Sequence, residues 1–110
     1  MRTALTIPQG TSWGVAWPIT EDGEPAEIDS WTVKAQVRET VTSTAVLYEW
    51  SSDAETALTA DSRVVLLVAP NVSTAWTWRR GVYDVELTSP DGAVYRISEG
   101  VIYVSPEVTR

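Results

Sequence analysis

The chain of 110 residues has no cysteine, no histidine and no phenylalanine. Without cysteine it can build neither a disulfide framework nor a thiol nucleophile. Without histidine it lacks the usual general base at neutral pH, the commonest metal ligand and any Ser–His triad. Long apolar stretches are missing too. The longest, Val64 to Ala69, is far too short for a bilayer-spanning helix. Pro8, Gln9 and Gly10 stand where a secretory signal would need its apolar segment, so no such signal is expected. No glycine-rich phosphate loop is present, and Asp22-Gly23-Glu24 lacks the ligand spacing of a calcium loop. Bases number 8 against 15 acids, a net charge of −7. That balance argues against duplex DNA or an anionic membrane as the main partner. These gaps point away from an enzyme, and no cofactor or metal is expected.

What the chain does have is alternation. Trp13, Val15, Trp17 and Ile19 share one parity, and so do Trp31, Val33, Ala35 and Val37, with Thr32, Lys34, Gln36 and Arg38 between them. Successive side chains of a strand point to opposite faces, so this spacing puts one face in a core and the other in water. With 44% apolar and 21% charged residues, the chain reads as one ordered domain spanning residues 1–110. Strands are predicted over residues 3–7, 11–19, 31–39, 45–50, 82–88, 93–98 and 101–105, with a weak one near 56–59. Residues 63–69 are apolar on both parities and predict a central strand covered on both faces. Thr20 to Pro25 and Ser89-Pro90-Asp91-Gly92 carry turn chemistry, and the second predicts a hairpin between the strands beside it. The alternation slips near Glu99-Gly100, where a bulge is expected. Residues 71–78 predict one short helical turn after Pro70. The fold class is therefore all-β, an antiparallel β-sandwich of roughly seven to nine short strands.

Six tryptophans in so short a chain are unusual. Trp13, Trp17 and Trp31 share the core parity and are assigned to packing. Trp76 and Trp78 lie on nearly opposite sides of the predicted helical turn, so one of them is expected to be exposed. Beside them stand Arg79 and Arg80. Aromatic and guanidinium groups dominate interface hot spots, which makes Trp76, Trp78, Arg79 and Arg80 the candidate protein-contact residues. The alternative for the two indoles is to cover an open end of the sandwich. The tryptophans could also stack on sugar rings, as in carbohydrate-binding modules, so a glycan is the second candidate partner. Charge is uneven along the chain. Glu21, Asp22, Glu24, Glu27 and Asp29 crowd one stretch, read as a solvated loop.

Four stretches, taken in order, resemble a known family. They are Ile7-Pro8-Gln9-Gly10-Thr11-Ser12-Trp13; then residues 31–38; then Gly81-Val82-Tyr83-Asp84-Val85-Glu86-Leu87; and last Glu99-Gly100-Val101 running on to residue 110. Their succession of a Gln-Gly start, a Gly-x-Tyr-Asp strand, an Asp-Gly turn and a final strand is similar to that of small β-sandwich virion proteins of tailed bacteriophages. The type is that of siphophage baseplate and tail-fibre-associated domains. Seven arginines against the single Lys34 suit a GC-rich coding sequence, in keeping with an actinobacterial phage. The resemblance implies a non-enzymatic virion part, made in the host cytoplasm and held by other virion proteins, as a homo-oligomer or symmetric array. Tail tip, baseplate or fibre attachment is the first expectation, and decoration of the capsid surface the alternative.

Overall fold

The computed structural model describes residues 2–109. Its strands are β1 (Leu5–Pro8), β2 (Trp13–Pro18), β3 (Thr20–Glu21), β4 (Glu24–Pro25), β5 (Thr32–Arg38), β6 (Tyr48–Ser51), β7 (Ala57–Ala60) and β8 (Arg63–Val68). One short helix, α1 (Pro70–Thr74), precedes the two longest strands, β9 (Arg80–Thr88) and β10 (Val94–Ser105). The fold is all-β. Five strands form one sheet in the order β1-β10-β9-β5-β6, three form a second in the order β2-β8-β7, and β3 and β4 make a separate hairpin. β1 runs parallel to β10, and the other pairings are antiparallel.

Alternation becomes burial strand by strand. Val33, Ala35 and Val37 of β5 and Tyr83, Val85 and Leu87 of β9 point inward, while Lys34 and Glu86 pair on the opposite face. From the second sheet, Trp17, Ala57, Val64, Leu66 and Val68 enter the same buried cluster. Each sheet thus gives one face to a single core, the favourable way to remove two apolar faces from water. The turn chemistry holds as well. The β3–β4 hairpin turns through Asp22 and Gly23, both at positive φ. Between β9 and β10, the Gly92 N–H donates to the Ser89 carbonyl at 3.0 Å, with Gly92 at φ +93°. The Ser89 hydroxyl donates to the Asp91 carboxylate, which holds that carboxyl below the usual carboxylate range.

Several expectations need correction. β8 is central in its sheet, yet only one of its faces is covered: Val64, Leu66 and Val68 are buried, whereas Leu67 is 42% exposed. The bulge lies between Arg96 and Ser98, earlier than Glu99-Gly100. Inserting Ile97 there turns Ser98, Gly100 and Ile102 inward, so Glu99 stays on the outer face. The strand expected over 45–50 begins only at Tyr48, because residues 40–46 loop back over Arg38, whose guanidinium donates to the Ser43 and Thr44 carbonyls at 2.9 and 2.8 Å. Helix occupies Pro70–Thr74 alone, not residues 71–78.

Trp31 is also not a core residue in full. It sits just before the first residue of β5, half-buried, with its ring stacked on that of Tyr95 at 5.8 Å. The fully buried tryptophan is Trp50, at 0% exposure. It extends from β6 across the core and donates its indole N–H to the Leu67 carbonyl of β8 at 3.1 Å, joining the two sheets. Trp50→Ala is therefore expected to cost about 3–5 kcal/mol, from lost burial and the cavity left behind. Trp31→Ala should cost roughly half as much, because part of its ring stays wet. Thermal melts of the two variants measure that order.

Candidate protein-contact site

The site begins with a helix that stops early. Pro70 opens α1 at a position where its missing N–H is not needed. A helix continuing through Trp78 would use the Ser73 and Thr74 carbonyls for its own N–H groups. Gln9 reaches both instead, sharing the Ser73 carbonyl with the Trp76 N–H at 3.0 Å. This buried side chain, placed by the end of β1, donates from Nε2 to the carbonyls of Ser73 (3.0 Å), Thr74 (3.3 Å) and Trp76 (3.1 Å). Its carbonyl oxygen accepts the Glu107 N–H at 3.4 Å. The Gly10 N–H donates to the buried Ser73 hydroxyl at 2.8 Å. Gly10 stands at φ +81°, and a Cβ there would run into the Glu107 carboxylate. That carboxylate in turn accepts the Thr74 hydroxyl at 3.1 Å. One side chain thus satisfies carbonyls that a short helix leaves open at its C-terminus.

Beyond Ala75 the chain is no longer helical, so Trp76 and Trp78 fall on the same side rather than on opposite sides. Their rings lie 4.9 Å apart, tilted by 35°. Trp76 packs on Tyr48 at 5.0 Å, and Tyr48 meets the edge of Trp50 at 4.9 Å. Trp13 of β2 completes the series at 6.4 Å from Trp50. The result is an aromatic ladder that runs from the buried centre to the surface and covers one end of the core. Both Trp76 and Trp78 are half-buried on the core cluster. The Trp78 indole N–H is enclosed without an acceptor among the described residues. Burial also raises the Tyr48 phenol above its ordinary 10.0.

Arg79 and Arg80 emerge next to this cap, both exposed. The Arg79 main chain is fixed, since its carbonyl accepts the Val104 N–H at 2.9 Å. Arg80 opens β9 opposite Tyr103. Neither guanidinium pairs with a carboxylate among the described residues. All four candidates are therefore contiguous, with the indoles fastened below and the two cations displayed above. Sequence reasoning missed Gln9 and Ser73 as the fasteners. The Gln-Gly step ahead of a strand was the available signal.

Elsewhere the surface is solvated. A depression of about 430 Å³ on the outer face of the five-stranded sheet is lined by both signs of charge. Its ion pairs, Arg96–Asp84 at 3.6 Å and Arg2–Glu99 at 3.7 Å, are exposed and contribute little. No group of three or more acidic side chains among the described residues is arranged to hold a metal ion. No helix among them is long and apolar enough to cross a membrane. Trp31 and Tyr95 spend one face each on the other. They do not lie side by side as the flat platform on which a sugar would rest. No protein-family model matches the chain, and no curated protein matches it either.

Two outcomes follow. Gln9→Met keeps the volume but removes the side-chain donor of the part-buried Thr74 and Trp76 carbonyls and one of the two donors of the Ser73 carbonyl, so stability should fall by about 1–3 kcal/mol. Amide exchange of Gly10 and residues 75–78 should accelerate more than that of β9. Separately, Tyr83 is raised above 10.0 chiefly by burial, as Tyr48 is. A raised phenol pKa means the unfolded chain releases the proton first. The stability these two groups give is complete below pH about 10 and is lost as pH climbs through their raised values. Chemical denaturation across the alkaline range should show that fall, and Tyr48→Phe should reduce it.

Proposed function

We infer that this domain is a non-enzymatic structural part of a tailed-phage particle, at the tail tip, baseplate or fibre attachment, and that the 76–80 segment is one of its contacts with a neighbouring virion protein. The observation that carries the contact is the pair of exposed guanidiniums of Arg79 and Arg80 on a fixed main chain, without a carboxylate partner among the described residues, Arg79 donating only to the Trp78 carbonyl at 3.2 Å, beside half-buried, mutually tilted indoles. A rigid mount lowers the entropy lost on binding, and arginine beside tryptophan is the composition of an interface hot spot. Two free cations on a chain of net charge −7 suit an acidic patch on the partner. The ordered sequence resemblance supports the virion setting, and capsid-surface decoration is the second location it allows.

Mass spectrometry of purified particles of the encoding phage tests the setting, and absence from particles contradicts it. The contact is tested by Arg79→Glu with Arg80→Glu. Both side chains are exposed, so the variant should melt within about 0.5 kcal/mol of the parent, as surface changes do. Its incorporation in a complementation assay should drop at least tenfold, the effect of losing about 1.4 kcal/mol of binding. Normal incorporation of a folded variant would move the contact to another surface.

A further inference from the structure

The chain holds one labile dipeptide twice, as Asp22-Gly23 and as Asp91-Gly92, and the fold treats the two differently. An aspartate before glycine is reactive because no side chain shields the glycine nitrogen from the neighbouring carboxyl carbon. Attack needs a glycine N–H not engaged elsewhere, a carboxyl free to turn, and a main chain that can leave its native angles. None of these holds at 91–92. The Gly92 N–H donates to the Ser89 carbonyl at 3.0 Å, and the Ser89 N–H donates to the Ala93 carbonyl at 2.9 Å. The Ser89 hydroxyl donates to the Asp91 carboxylate. That turn joins the two longest strands, which pair with each other along their lengths.

All of them hold at 22–23. Neither the Gly23 N–H nor the Asp22 carboxylate has a hydrogen-bond or ion-pair partner among the described residues. Both residues are exposed, and a Cβ on Gly23 would meet nothing within 4 Å. Behind them stand β3 and β4, two residues each and all exposed, forming a sheet of their own. A two-stranded hairpin is marginal in water by itself. Its pair next to the turn sets Glu21 opposite Glu24, and like charges directly opposite destabilise a ladder. The other pair joins Thr20 to Pro25, which has no N–H to give. This turn opens without disturbing the core.

We propose that Asp22 is the site of a spontaneous covalent modification, isomerisation to isoaspartate, and that the Ser89 bonds protect Asp91 from it. The Gly23 nitrogen bonds to Cγ of Asp22, and its proton leaves with the carboxyl hydroxyl as one water, closing a succinimide ring. One water then opens that ring. Addition at Cγ breaks the Cγ–N bond and restores aspartate. Addition at the main-chain carbonyl carbon breaks its bond to nitrogen and leaves the chain running through Cγ. No reactant beyond water takes part. Charge is unchanged, but the main chain gains one carbon, and a two-residue turn that has to match the strands beside it loses its fit. The inference does not depend on the phage setting or on the 76–80 contact.

Prolonged incubation of the folded full chain in neutral buffer tests it, followed by peptide mapping with a protease that cuts at aspartate and not at isoaspartate. Isoaspartate should accumulate at position 22 at least tenfold faster than at position 91, the ratio given by an opening about 1.4 kcal/mol easier. In guanidinium chloride, where neither turn persists, the two rates should agree within about twofold. Ser89→Ala should speed the reaction at 91 and leave that at 22 unchanged, with circular dichroism reporting its fold. Where that variant does not fold, Glu21→Lys on the exposed hairpin serves. Opposite charges across the pair should slow the reaction at 22 by about two- to fivefold. Isoaspartate at 91 as early as at 22 in the folded protein, or none at 22, would overturn the proposal. A folded Ser89→Ala variant whose Asp91 reacts no faster would overturn the protection.

Discussion

The indole of Trp50 holds the two sheets together. Its ring is wholly buried, and its N–H must find an acceptor or add an unpaired donor to the core. The Leu67 carbonyl supplies one at 3.1 Å. A polar bond inside an apolar contact fixes both distance and direction, which packing of methyl groups alone does not. From this point the aromatic series through Tyr48, Trp76 and Trp78 runs outward, each ring seated on the last. The segment that carries Arg79 and Arg80 is thus tied to the centre of the molecule, from below by stacked rings and from the side by Gln9. Position of the displayed cations follows from packing of the core.

Much of this was legible in the residues. Strict alternation gave β5 and β9 with the correct inward faces, because period two has no competing interpretation over seven residues or more. The Asp-Gly turns were equally plain, since few residues tolerate positive φ. The failures share a cause: each depends on a contact distant in sequence. Residues 71–78 have no local signal against a helix. Where it stops, the Ser73 carbonyl accepts both the Trp76 N–H and the amide of Gln9, 64 positions away. Trp31 and Trp50 cannot be ranked by parity. Burial depends on what lies opposite: the Trp50 ring meets the second sheet at the Leu67 carbonyl, whereas Trp31 precedes β5 and meets only the Tyr95 ring among the aromatics. β8 was a different kind of error. Its two apolar parities predict two covered faces, and the structure covers only the one that carries Val64, Leu66 and Val68.

The candidate contact residues were legible as a composition, tryptophan beside arginine, but not as a geometry. The helical reading separated the indoles, while the real chain stacks them and leaves the arginines to face outward. This divides the roles within one short segment. The aromatic part is packed against the core, and the two guanidiniums stand exposed. That core cluster draws on both sheets.

The claim that Trp50 anchors the whole arrangement is tested most directly by hydrogen exchange at the six indole N–H groups, followed by NMR. The account predicts that the Trp50 indole exchanges only through global unfolding, with the slowest rate of the six and the same free energy as the core amides of β9. An indole of Trp50 that exchanges ahead of those amides would contradict it.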